Sequence, residues 1–127
     1  TIDPEKGCID WVRAGHDPAL IYDPGRDEFT ELKGSGVALG VNENFDFQEN
    51  SRGGLANGQI IAVGTDGIWE AHNADQEMFG KERVYGVIRQ YGQASAATIR
   101  DRLFEAVAAF SDGHQDDDIT LAVIKIL

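Results

Sequence analysis

Basic residues are scarce in this chain of 127. Eleven lysines and arginines stand against 22 acids, for a formal net charge of -11. Nucleic acid and anionic membranes attract basic surfaces, so this balance argues against both as main partners. An acidic chain can still hold phosphate where a metal or a few arginines invert the local field. Cysteine is nearly absent: Cys8 stands alone, which excludes an internal disulfide and fits a reducing compartment. No apolar run approaches the roughly 20 residues of a membrane span. The opening TIDPEKG lacks the charged and apolar regions of a signal peptide. The expectation is a cytoplasmic protein without membrane contact in this segment. The apolar share, 42%, is large enough to build a core, which excludes disorder as the default.

Turn residues divide what is present. Asp3, Pro4 and Gly7 predict a turn ahead of a strand at 8–14 (CIDWVRA). Only Thr1 and Ile2 precede that turn, so the chain is expected to begin inside a hairpin. Residues 19–22 and 28–32 read as two strands joined by the polar turn DPGRD. Residues 37–41 form a short apolar stretch between Gly36 and Gly40. Residues 44–49 (NFDFQE) alternate as a half-buried strand does, and 59–63 (QIIAV) suit a buried one. Helical spacing then takes over. Val84, Val87, Ile88 and Tyr91 share a face, with Gly80 as N-cap, Gly92 as stop, and Phe79 and Val84 placed for a hydrophobic staple. A second helix starts near Ser95, carries Ile99, Leu103, Ala106, Val107 and Phe110, and ends by Gly113. Residues 119–127 (ITLAVIKIL) read as a final core strand. Many strands, two helices and one strand predict an α+β fold on mainly antiparallel sheets, a β-sandwich flanked by helices.

Two acidic positions carry the chemistry. Asp66 follows the apolar run IIAVG and Thr65, and Gly67 behind it leaves room for an ion to approach the backbone. Asp116, Asp117 and Asp118 precede the last strand. Singly, each has an ordinary explanation: Asp-Gly is a common turn, and acids often guard the end of an apolar strand. Jointly they say more. If the two strands are antiparallel neighbours, the exit of one lies beside the entrance of the other, and the carboxylates meet at one sheet edge. Like charges that close need a cation between them. Hard oxygen donors suit Mg²⁺ or Mn²⁺, and two such ions can activate water and clamp a phosphate. Residues 112–118 (DGHQDDD) do not have the spacing of an EF-hand. His16, His114, Glu70, Arg83 and Arg89 are weaker candidates, read first as loop or surface residues.

The segments WVRAGHDPALIY, VALGV, QIIAVGTDGIWEAHNADQEMFGKERV and DDDITLAVIKI, in this order, resemble the metal-dependent protein phosphatases (PPM, type 2C). The nearest likeness is to the bacterial SpoIIE/RsbU-like branch. The resemblance implies metal binding by Asp66 and Asp117, with Gly67 and Asp118 in support and Asp116 as an additional acid. It implies a two-metal centre of Mn²⁺ or Mg²⁺. Metal-bound water would hydrolyse phosphoserine or phosphothreonine directly, on a regulatory protein such as a phosphorylated anti-sigma-factor antagonist. The family's other metal-binding Asp-Gly pair and its Gly-His-Gly segment have no match here. The chain, residues 1–127, is therefore expected to be the C-terminal part of such a domain, active weakly or not at all by itself, with a sensor or receiver domain upstream. The alternative is an inactive phosphatase-like module that docks a signalling partner.

Overall fold

Strand β1 (Ile2–Asp3) runs antiparallel to β2 (Cys8–Val12) across the expected turn. The Asp3 carboxylate accepts the N–H groups of Glu5 and Lys6 at 3.1 and 3.0 Å, which closes that turn locally. The structure, a computed structural model, describes residues 1–115 and 117–127. Asp116 lies outside the described residues.

The strands form two antiparallel sheets. Strand β5 (Glu49–Gly53) joins β2 to give the order β1-β2-β5. The second sheet has the order β4-β3-β6-β7, from β3 (Leu20–Asp23), β4 (Glu28–Glu31), β6 (Ile60–Gly64) and β7 (Leu121–Lys125). Helices α1 (Gly80–Tyr91) and α2 (Ala96–Phe110) cover one face of this second sheet.

The two-residue side-chain period of a strand decides what each face meets. Leu20 and Tyr22 of β3 and Ile60 and Ala62 of β6 point to the helices, among Val84, Ile88, Ile99, Leu103 and Val107. Ile21 and Ile61, between them, point the other way, onto Ile9 and Leu32. The layers are thus sheet, sheet, helices. The run QIIAV has no polar alternation because both faces of β6 are covered. Tyr22, Phe29 and Tyr85 stack in series, with centroids 4.5 and 4.3 Å apart, and so fasten α1 to the β3–β4 hairpin.

The helices follow the predicted pattern closely. Ser95 caps α2 through its hydroxyl, which accepts the Thr98 N–H at 3.1 Å. Phe79 and Val84 enter one cluster, as the staple requires. Helix α1 starts one residue earlier than expected, with Gly80 as its first residue and Phe79 at the cap.

Two strand expectations are corrected. Residues 44–48 are not strand; pairing starts at Glu49, where β2 supplies a partner. Phe45 and Phe47 do turn to one side, but they pack edge-on against each other at 5.0 Å. The final strand is not a core strand. Strand β7 is the edge of its sheet among the described residues, half-buried in alternation, with Ile124 38% exposed.

Candidate metal centre

Strands β6 and β7 are antiparallel neighbours in the register Gly64↔Leu121. This was the condition for the acidic positions to meet. The backbone continues the pairing one step beyond the strands, since the Thr65 N–H donates to the Thr120 carbonyl at 3.0 Å. The Thr65 hydroxyl then stitches the two loops. It donates to the Asp118 carbonyl and accepts the Thr120 N–H, both at 3.0 Å.

Asp66 opens a single 3-10 turn, Asp66–Ile68, at the exit of β6. Its carboxylate is exposed and accepts the Gly67 N–H at 3.1 Å. Gly67 is buried against the opposite loop. A side-chain carbon placed there would lie 2.7 Å from the Asp118 carbonyl oxygen and 3.5 Å from Cβ of Asp117. Only glycine lets the two segments come this close. Asp117 is held in turn: its carboxylate accepts the Asp118 N–H at 2.7 Å, and its carbonyl accepts from the Gln115 amide at 2.9 Å. The four residues expected from the sequence, Asp66, Gly67, Asp117 and Asp118, therefore occupy one corner of the sheet.

As a donor set, two exposed carboxylates in the loops that flank the β6–β7 pair suit a hard divalent cation. Among the described residues no group of three or more His, Cys, Asp or Glu side chains is placed to hold a metal.

The second wall of the site was missed from the sequence. Gly15, His16 and Asp17 line an open cavity of about 230 Å³ together with Thr65 and Asp66. The pairing of β3 with β6, Leu20↔Ala62, puts the entrance of β3 beside the exit of β6. The strand-end argument used for Asp117 would have found it, but no motif marks β3 as a neighbour of β6. His16 is bonded to backbone: Nδ1 lies 2.8 Å from the Asp17 carbonyl, which can only accept, so Nδ1 carries the proton. His114 lies at the end of α2 and lines a cavity with His72 and Asp112. Glu70 is exposed. Arg83 and Arg89 are engaged by Glu77 and Asp27, each at 2.6 Å.

One cation stands behind the cavity. Lys81 Nζ is 3.1 Å from Glu31 and 3.6 Å from Asp17. Partial burial pulls the Lys81 ammonium down, but its hydrogen bond and charge pairing with Glu31, helped by Asp17, leave it raised overall. The same hydrogen bond holds the Glu31 carboxyl below its ordinary value.

Residues 1–127 match the SpoIIE family, Stage II sporulation protein E. The chain belongs to the SpoIIE family. Its relatives include the phosphoserine phosphatase RsbU of Bacillus subtilis, 22% identical over 95% of this chain and 36% of that protein. Stage II sporulation protein E of B. subtilis is 25% identical over 98% of this chain and 14% of its own length. The chain thus spans little more than a third of RsbU and less of SpoIIE. Among solved structures, the PP2C phosphatase domain of B. subtilis SpoIIE with a regulatory-domain fragment has a TM-score of 0.81. There the identity is 22%, over 98% of this chain and 36% of that one. The SiaA PP2C domain of Pseudomonas aeruginosa gives 0.79 at 22% identity, over 94% of this chain and 47% of that one. At such identities the likeness is one of fold: this SpoIIE-family chain has part of the α+β architecture of PP2C phosphatase domains.

Proposed function

We propose that residues 1–127 are the C-terminal part of a metal-dependent protein serine/threonine phosphatase domain. Asp66 and Asp117 hold a divalent ion, Mn²⁺ or Mg²⁺, in a two-metal centre, with Gly67 and Asp118 in support. The observation that carries this reading is the meeting of the TDG turn with the DDIT segment across the β6–β7 pair. Membership of the SpoIIE family supports it, as does RsbU, a relative named for its phosphoserine phosphatase activity. Bound ions of this kind supply an activated water and a clamp for phosphoryl oxygens. The chain's own contribution is placement. Thr65 sets the spacing of the two loops, Gly67 permits it, and His16 and Asp17 wall the cavity beside Asp66. The substrate class is a phosphoserine or phosphothreonine on a regulatory protein of the anti-sigma-factor-antagonist kind, in the cytoplasm, under an upstream sensor or receiver domain. No helix among the described residues is long and apolar enough to cross a membrane.

The test uses the full-length protein, p-nitrophenyl phosphate and a Mn²⁺ titration. Asp66→Asn and Asp117→Asn are each expected to lose about 100-fold or more of the Mn²⁺-dependent rate, the scale on which one electrostatic stabiliser acts. Activity equal to wild type in both would remove the ligand assignment. A wild type that binds Mn²⁺ without hydrolysis would make the chain a phosphatase-like docking module instead.

A further inference from the structure

Lys81, on the first turn of α1, touches three segments, two of which border the candidate site. Its Nζ is 3.1 Å from Oε1 of Glu31 on β4 and 3.6 Å from Oδ2 of Asp17. It also lies 5.0 Å from the centroid of the Trp69 ring. Trp69 closes the 3-10 turn that Asp66 opens, and its carbonyl accepts the Gly80 N–H at 2.8 Å. Asp17 lines the cavity beside Asp66. One ammonium thus joins the two flanks of that cavity. An isolated surface ion pair has little effect. Lys81 differs in being two-thirds covered, with two carboxylates and an aromatic face sharing its charge.

Charge makes the consequence specific. Asp17 is a further carboxylate on the wall of the cavity that Asp66 lines. Its 3.6 Å contact with Lys81 offsets part of its charge on the side of α1. Released, it would add a negative oxygen donor to the cavity that Asp66 lines.

We propose that Lys81 is a positioning residue that keeps the Asp17 carboxylate out of the metal centre and so sets the number and geometry of its donors. This rests on the reading of Asp66 and Asp117 as ligands. The test is Mn²⁺ binding, followed by electron paramagnetic resonance, and kcat on p-nitrophenyl phosphate, in the full-length protein. Lys81→Met keeps the stem over Trp69 and removes the charge. It is expected to bind Mn²⁺ roughly three- to tenfold more tightly, the scale of one unit charge a few ångströms from an ion near solvent, while kcat falls. A merely structural role would weaken binding and rate together. Lys81→Arg keeps the charge and is expected to remain near wild type. Adding Asp17→Asn to Lys81→Met is expected to cancel the tighter binding, a non-additivity that only coupled residues show. If Asp66→Asn loses Mn²⁺ but Lys81→Met matches wild type in affinity and kcat, the Lys81 proposal is overturned alone. If Asp66→Asn binds Mn²⁺ as wild type does, the metal-centre reading falls and takes this proposal with it.

Discussion

Gly67 is the residue on which the corner of the sheet turns. Its missing side chain leaves 2.7 Å between the place of a Cβ and the Asp118 carbonyl, a backbone atom that cannot swing aside. Gly67→Ala is expected to destabilise the protein by about 1–3 kcal/mol through forced backbone movement, and to weaken Mn²⁺ binding as the loops part. Chemical denaturation and Mn²⁺ titration of the variant check both effects; an unchanged unfolding midpoint would contradict the close approach. At this scale much was legible. Asp66, Gly67 and the acids at 116–118 could be named because each follows or precedes an apolar run, and strand ends are visible in sequence; the choice of Asp117 and Asp118 among those acids came from the family resemblance. Asp17 could not, and His16 stood only as a weak candidate, because their nearness to Asp66 depends on which strands are neighbours. The role of Thr65 was hidden for the same reason: its hydroxyl bonds partners 53 and 55 residues away.

The elements were readable where a local signal sets them. Ser95 ahead of an apolar stripe predicted α2, and the hydroxyl does cap it. Ser95→Ala is expected to cost about 1 kcal/mol, the usual loss for a helix cap. Urea unfolding measures it; a change under a few tenths would mean the Thr98 N–H finds water at no cost. The stretch at 44–49 misled because alternation reports which way side chains face, not whether a backbone partner exists. Phe45 and Phe47 satisfy the pattern by packing on each other, and the ladder begins only at Glu49. Strand β7 misled in the opposite sense. Its β-branched content suggested full burial, yet it has a strand on one side only among the described residues.

For the molecule as a whole, the order of elements was enough to expect α+β, but not how the strands of the described residues divide between their two sheets. That division follows from long-range pairings such as Trp11↔Asn50 and Leu20↔Ala62, which no local window contains. Charge is the other property of the whole. Asp3, Asp23, Asp27, Glu31 and Glu77 all have carboxyls lowered by hydrogen bonds: from the Lys6 backbone, Gln59, Arg89, Lys81 and Arg83 respectively. A lowered folded-state value means that the unfolded chain takes up protons first as the pH falls. The stabilisation is complete above the ordinary carboxylate values, near pH 4, and is lost as the pH falls through the lowered ones. Thermal melts are expected to hold steady from about pH 7 to 5 and to drop steeply below about pH 4; a midpoint that rises on acidification would reverse the sign of these interactions. The β6–β7 pairing has a last consequence. Both helices lie in the stretch of chain between Asp66 and Asp117, so no peptide cut from this sequence carries the two carboxylates without carrying α1 and α2 as well. Their meeting is a property of the finished tertiary structure, and a Mn²⁺ signal that needs both would count the molecules whose last strand has zipped into place.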